Sequence, residues 1–388
     1  MAVSPTDTYP SATDLGRERA HPRILTREFA VVLSGGGIRV AYQVGALSAL
    51  CDLLDPRLCR VIIGSSIGAV NVLVLAASIR SGLEVGIEAL KDLWRVRTYA
   101  NTFVDKPSLS FLRALKMGML QYFSPGPKAT STFVFNPKRV IDRTNALIEA
   151  FGGAGVSNFP TQLHAVGVMT TREGASRKGL LLATARSRLP EDKLFGVSFD
   201  VVYLDRLSAE HAFASAALPS ILPPVQISLE TEEVRLVDGG ISDNFPIDPA
   251  LRFGAEEVLL LDASGRKWWF DHYRQPYDFR EPWEVIGSAG TFCHRPERLH
   301  EFRSERAFGP ILKKVLGKST RGSISALGPL WPVFRLLKHR LGEELAYEVM
   351  SYAVLHEEYI DELIELGYQE TAAKLRALAE DERETQVK

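Results

Sequence analysis

The run Ile62-Ile63-Gly64-Ser65-Ser66-Ile67-Gly68-Ala69-Val70 constrains this chain more than any other. Val61, Ile62 and Ile63 are β-branched, as a buried strand favours. From Ala69 onward, Leu73, Ala76 and Ala77 suit a packed helix. Between them stands G-x-S-x-G, with Ser66 at its centre. A serine on such a sharp strand-to-helix turn is pushed out of the sheet, and the new helix points its free N–H groups back at it. The same residues also fit an ordinary turn in which Ser65 or Ser66 caps the helix. The rest of the chain has to decide between the two.

A second turn of the same kind precedes it. Phe29 to Leu33 form an apolar strand that runs into Ser34-Gly35-Gly36-Gly37-Ile38-Arg39, after which Tyr42, Ala46, Ala49 and Leu50 recur at helical spacing. Two such turns about 30 residues apart make one βαβ unit. They predict parallel neighbouring strands with both turns at one sheet edge, where open α/β sheets bind ligands. A dinucleotide fingerprint starting at Gly35 fails at Val40, and no Walker Lys-Ser/Thr follows. Three successive glycines suit an oxyanion hole, with backbone N–H groups at a helix start, or a flexible βα loop.

A serine nucleophile needs a base. Leu236-Val237 ends a short strand that delivers Asp238-Gly239-Gly240, and burial there would raise the carboxyl pKa toward the working pH. Asp-Gly is also a common turn dipeptide. The alternative base is a histidine in the order Ser…Asp…His, with His272, His294, His300, His339 and His356 available. None of those five stands in a glycine-flanked strand-end context.

Composition bounds the remaining readings. The chain has 388 residues, 46% hydrophobic and 24% charged, with a net charge of −1. That is ordinary for a globular protein and gives no case for nucleic acid. Cys51, Cys59 and Cys293 make no full set of bridges and show no metal spacing, which points to a reducing, cytoplasmic setting. No run reaches the roughly 18 apolar residues of a membrane span.

The chain divides into a leader, 1–27, a main domain, 28–265, and a mainly helical C-terminal extension, 266–388. Residues 1–27 are polar, rich in Ser, Thr and Pro, and read as flexible, without a signal-peptide core. Val140 to Phe151 and Ser208 to Leu218 read as helices, His164 to Thr171 as a strand with Gly179 to Ala183 as its hairpin partner, and Val258 to Leu261 as a further buried strand. Residues 100–135 read as a cap over the site, in which Phe111, Leu112, Leu115, Met119 and Phe123 alternate with Arg113 and Lys116. The cap and 311–340 both mix basic and large apolar residues. Either a lipid surface or a packed helix explains that mix. Trp268 to Trp283 is aromatic and charged, and 342–380 read as two helices separated near Gly367.

Four blocks together resemble the patatin-like phospholipases, lipid acyl hydrolases of bacterial type. They are Gly35-Gly36-Gly37-Ile38-Arg39 leading into Ala41 to Leu47; Gly64 to Asn71; Ala214-Ser215-Ala216-Ala217-Leu218-Pro219 with Pro223-Pro224; and Asp238-Gly239-Gly240-Ile241-Ser242-Asp243-Asn244-Phe245-Pro246. The resemblance implies a three-layer α/β/α fold with a mainly parallel central sheet, a Ser–Asp dyad, and no metal or other cofactor. It assigns Ser66 as nucleophile and Asp238 as general base. Gly35, Gly36 and Gly37 become the oxyanion hole with Arg39 bracing that loop, and Gly64, Gly68, Gly239 and Gly240 support the motifs. The implied substrate is a lipid ester, with peripheral membrane contact as the accompanying expectation. Where the family has glycine after the arginine, this chain has Val40, whose β-branch would restrict the loop and narrow the pocket. That departure motivates a second reading, a weakly active or regulatory lipid-binding protein on the same fold. A third is an α/β-hydrolase with a Ser-Asp-His triad.

Overall fold

The computed structural model describes residues 27–106, 109–114, 116, 133–174, 178–194, 197–229, 232–265, 298–318 and 327–387. The strands are β1 (Phe29–Leu33), β2 (Cys59–Ser65), β3 (Ala154–Gly155), β4 (Ala165–Arg172), β5 (Gly179–Ala185), β6 (Phe199–Tyr203), β7 (Arg206–Leu207), β8 (Val225–Ser228), β9 (Glu233–Asp238), β10 (Glu257–Asp262) and β11 (Leu299–Arg303). The helices are α1 (Ala41–Leu50), α2 (Gly68–Ser78), α3 (Leu83–Arg95), α4 (Tyr99–Thr102), α5 (Lys138–Ala150), α6 (Ala209–Ser215), α7 (Ile247–Arg252), α8 (Phe308–Lys318), α9 (Trp331–Leu341), α10 (Glu343–Met350) and α11 (Glu357–Val387).

The sheet runs β11-β10-β1-β2-β4-β5-β6, with β9 and β8 branching from β4. From β11 to β4 every neighbour is parallel. The apolar run Phe-Ala-Val-Val-Leu follows from that position. A parallel strand is covered on both faces, so both parities must be apolar. Phe29, Val31 and Leu33 join the larger core with α1, α2, α3 and the C-terminal helices, while Ala30 and Val32 face a smaller core with Phe245, Ile247, Ala250 and Phe253. The same parity split divides Ile62 from Val61 and Ile63, and Leu259 and Leu261 from Val258 and Leu260. The fold is thus a mainly parallel sheet with helices on both sides.

One departure from simple order positions the site. β2 runs parallel along β4 from Val61 opposite Ala165 to Ser65 opposite Met169. β9 then takes over the same edge in the opposite direction, with Asp238 opposite Thr170 and Leu236 opposite Arg172. The other edge of β4 is filled by β5. The C-terminal ends of β2 and β9 therefore meet head to head along one strand.

The C-terminal helices differ from expectation in one respect. Gly367 does not separate two helices. The break falls at 351–356, and Gly367 lies inside α11. A side chain at Gly367 would sit 2.0 Å from the Tyr42 carbonyl oxygen, and one at Gly45 would sit 1.8 Å from that of Ile364. The two glycines let α1 and α11 pack backbone to backbone, an approach that any Cβ forbids. The described residues of 311–340 divide between packing and solvent, with Leu336 exposed. Leu312, Val315, Leu316, Leu330 and Phe334 are buried, while Lys313 and Lys314 pair with Glu343 and Glu362. The aromatic stretch Trp268 to Trp283, Leu115, Met119, Phe123 and residues 1–26 lie outside the described residues. No described helix is long and apolar enough to cross a membrane.

The close crossing generates a prediction. Gly45→Ala forces α1 and α11 apart and should cost about 1–3 kcal/mol, as overpacking does. Thermal or urea denaturation measures it. An unchanged midpoint would show that the crossing yields without strain.

Candidate active site

Ser66 stands at the end of β2 with φ +52°, one of two described non-glycine residues in the left-handed region. Such a backbone is strained for a residue with a side chain and is found where a nucleophile must project from a tight turn. The neighbouring glycines make room for it. A Cβ at Gly68 would lie 2.4 Å from the Ser34 carbonyl oxygen, and one at Gly35 would lie 2.4 Å from the Ser66 Cβ. The two glycine-rich turns are therefore in direct contact.

Ser66 Oγ donates to Asp238 Oδ2 at 2.7 Å, with no side chain between them. The other carboxylate oxygen accepts the Gly240 N–H at 2.8 Å. Asp238 is itself held at both backbone atoms. Its N–H donates to the Ala217 carbonyl at 3.0 Å, and its carbonyl accepts the Thr171 hydroxyl at 2.9 Å. Ser215 Oγ ties the same small-residue segment to the Met169 carbonyl. This is the physical reason for the Ala-Ser-Ala-Ala-Leu-Pro block: α6 and its C-terminal turn seat the strand end that carries the carboxylate. Burial pushes the Asp238 carboxyl up to about 6, against the opposing pull of the bonds from Ser66 and Gly240. Burial pushes Asp243 up to about 7 as well, helped by the charge of Asp248. The Asp243 backbone carbonyl accepts the Ser65 hydroxyl at 2.7 Å, which fixes the turn after Asp238 to the turn at Ser66.

The glycine loop has sorted its amides. The Gly35 N–H donates to Asn244 Oδ1 at 2.9 Å and the Ile38 N–H to the Tyr352 carbonyl at 2.8 Å. The Arg39 N–H returns to the Gly36 carbonyl at 3.2 Å. Among the described residues, the N–H groups of Gly36, Gly37 and Ile67 have no such bond. Sequence reasoning grouped Gly35 with Gly36 and Gly37 and gave Asn244 no role. Its only signal is a place six residues beyond Asp238, in the block whose aspartate and glycines carry the resemblance. The Arg39 guanidinium turns away from Ser66 and is fully buried against Glu348, Ser351 and Ser264. It can brace the loop but offers no donor to the serine.

Val40 does not behave as its β-branch suggested. Its φ and ψ are −62° and −11°, ordinary helical values, and its side chain packs into the larger core. No loop strain arises from valine at this position. The histidines are spread out. His300 lies in β11, three strands from β2, with Nε2 3.9 Å from Glu257. His339 is in the last turn of α9 and His356 precedes α11. His272 and His294 fall outside the described residues.

A family model described as Patatin-like phospholipase matches residues 31–251. The match covers more than half of the chain, and the chain belongs to this family of lipid acyl hydrolases. No curated protein matches. Among solved structures, VipD from Legionella pneumophila is 15% identical with a TM-score of 0.36, over 90% of this chain and 67% of that one. Human GIVD cytosolic phospholipase A2 in complex with methyl γ-linolenyl fluorophosphonate is 12% identical with a TM-score of 0.37, over 91% and 58%. ExoU of the Pseudomonas aeruginosa type III secretion system, in complex with SpcU, is 14% identical with a TM-score of 0.27, over 88% and 53%. This chain thus spans little more than half of the latter two.

The Asp238 environment makes a stability prediction. Its folded pKa is raised, so the folded chain holds this proton more tightly than the unfolded chain does. The resulting advantage is present below about pH 4 and lost as pH rises through about 6, above which the buried charge costs about 3 kcal/mol. Asp238→Asn should therefore gain about that much over wild type between pH 4 and pH 8. Denaturation of both proteins at the two pH values measures it. A difference that stays constant with pH would mean that Asp238 is not a raised carboxyl.

Proposed function

We propose that this protein is a serine hydrolase of lipid acyl esters that works through a Ser66–Asp238 dyad and an acyl-enzyme. The observation that carries this reading is the direct Ser66–Asp238 hydrogen bond at 2.7 Å within a buried strand junction. In the ionised form Asp238 is a base within bonding distance of the hydroxyl proton it must take. Ser66 Oγ attacks the ester carbonyl carbon as its proton passes to Asp238 Oδ2. The carbonyl oxygen becomes the oxyanion, and the Gly36 and Gly37 N–H groups are the loop donors open to receive it. Collapse of the tetrahedral intermediate breaks the ester C–O bond, and Asp238 returns the proton to the leaving alcohol. A water molecule then attacks the acyl carbon as Asp238 takes its proton, the acyl–Oγ bond breaks, and Asp238 returns that proton to Ser66 Oγ as the fatty acid leaves.

The dyad makes a prediction that a triad does not share. Ser66→Ala abolishes hydrolysis of a short-chain nitrophenyl ester, and Asp238→Asn lowers it about 10²–10⁴-fold, the usual worth of general-base help. Alanine at His272, His294, His300, His339 or His356 in turn leaves turnover within a few-fold of wild type. A folded enzyme silenced by one histidine substitution would instead be a triad hydrolase, since members of a catalytic unit fail together.

Peripheral contact with a lipid surface belongs to the same proposal. Leu109, Phe111 and Leu112 are exposed beside Arg113 and Lys116, and Leu218 and Ile241 are exposed on either side of Asp238 in sequence. Exposed apolar groups beside basic ones suit an anionic bilayer surface. The expected result is flotation of the wild type with anionic vesicles, weakened by salt and by Phe111→Asp with Leu112→Asp. Equal flotation of the two proteins would remove 109–116 from any membrane contact.

A further inference from the structure

The glycine loop does not rest on the sheet and its flanking helices alone. Its outer side lies against residues 348–352, which fall beyond the 31–251 matched by the family model. The Tyr352 carbonyl accepts the Ile38 N–H at 2.8 Å. Gly37 has φ +58°, and a Cβ there would lie 2.0 Å from that same oxygen. Two residues after Gly37, Arg39 reaches into the same segment. Nε donates to Ser351 Oγ at 2.8 Å, and Nη2 donates to the Glu348 carbonyl at 2.7 Å and to Glu348 Oε1 at 2.6 Å. Nη1 donates to the Ser264 carbonyl at 2.9 Å. The guanidinium lies 3.6 Å from the Tyr352 ring centroid and 4.8 Å from that of Phe308.

Glu348 is anchored from the other side. Its second oxygen accepts the Gly309 N–H at 2.5 Å, at the start of α8. Ser351 Oγ, while accepting from Arg39, donates to the Glu348 carbonyl at 2.6 Å. The Tyr352 hydroxyl donates to the Ser264 carbonyl, beside the end of β10. The Arg39 and Glu348 side chains are both fully buried. A buried pair of this kind adds little net stability over apolar residues of the same volume, because both charges lose their water. What it does supply is direction. A planar guanidinium bonded on every nitrogen has one orientation only.

We infer that Glu348, Ser351 and Tyr352 form a clamp that sets the oxyanion loop, fixing Arg39 and Ile38 so that Gly36 and Gly37 remain the amides open to substrate. The inference rests on the hydrolase reading above. The three are positioning residues, since they act through the loop and not on the reacting atoms. The clamp makes the C-terminal third a working part of the site. Asn244 holds the loop at Gly35 and the clamp holds it at Ile38 and Arg39, so the two free amides lie between two fixed ends.

The test uses the full chain, with an alkyl fluorophosphonate as probe and a short nitrophenyl ester as substrate. Glu348→Ala should lower the Ser66 labelling rate and kcat about 10²-fold, the scale of a misplaced reacting geometry, with KM within about three-fold. Leu366→Ala shortens a buried side chain at the α8–α11 contact, away from Arg39, and serves as the control for general loosening. Below its melting temperature it should label within about three-fold of wild type. Wild-type labelling in folded Glu348→Ala overturns the clamp, and so does an equal loss in Leu366→Ala. If Glu348→Ala does not fold, Ser351→Ala removes one hydroxyl and no charge. A several-fold fall in its labelling supports the clamp, and a wild-type rate overturns it. A wild-type protein that fails to label at Ser66 overturns the hydrolase reading itself, and the clamp falls with it.

Discussion

β2 and β9 share one edge of β4 and run at each other, and the site depends on that collision. Ser65 lies opposite Met169 and Asp238 opposite Thr170, so the two chain ends arrive at successive positions of one strand. Neither can continue. β2 turns off through Ser66 into α2, and β9 turns off through Gly239 and Gly240. The two side chains that matter stand at the two turns, and the register of β4 sets the distance between them. Two side chains built on strand ends in this way are placed more accurately than two carried on loops. It also explains the burial of Asp238. A carboxylate wedged between the ends of two strands is largely shielded from bulk water, and its raised pKa follows.

A second layer keeps the two glycine-rich turns in register. Gln43 Nε2 donates to the Ser34 carbonyl at 2.8 Å and the Leu261 carbonyl at 2.9 Å. Asn71 Nδ2 donates to Gln43 Oε1 at 3.0 Å and to the Val40 carbonyl at 3.2 Å, and Asn71 Oδ1 accepts the Trp94 indole N–H at 2.8 Å. Gln43 begins this chain on α1, Asn71 continues it on α2 and Trp94 ends it on α3. All three side chains are buried and every bond is internal. Fully satisfied networks of this sort specify one arrangement, since any slip strands a polar group in an apolar layer.

The parts of this fold legible in the sequence are those encoded locally. The runs 29–33 and 61–63 announce buried strands because both faces of a central parallel strand are apolar. The pairs Gly-x-Ser-x-Gly and Gly-Gly-Gly mark where backbones must touch. Strand β11, Leu-His-Glu-Phe-Arg, gave no such sign, because an edge strand with polar residues lacks a distinctive period. Gly367 was misleading for a related reason. In a sequence a helical glycine reads as a stop, whereas here its missing side chain answers a demand from α1, more than 300 residues earlier in the chain. The destination of Arg39 was equally out of reach. Glu348 lies 309 residues away, and nothing local to either residue names the other. The roles of Ser66 and Asp238 were suggested by motif, but the absence of an intervening side chain between them is a fact of the sheet.

The cost of this geometry is visible in two places. Ser66 holds a left-handed backbone, worth about 1–3 kcal/mol of strain. Asp238 holds a carboxylate away from water, worth about 3 kcal/mol at neutral pH. Neither is relieved locally, because relief would undo the arrangement. A serine free to relax its φ would withdraw from the carboxylate, and a hydrated Asp238 would be a weaker base. The surroundings offset the cost at a distance through the apolar layers on both faces of the sheet and the close α1–α11 crossing. This division has a mechanical consequence. Buried residues of α8 to α11 belong to the larger core, and the end of α10 with the residues after it also touches the loop beside Ser66 at Ile38 and Arg39. The contact runs through Arg39, whose buried guanidinium lies over the Phe308 and Tyr352 rings and bonds to Glu348 and Ser351.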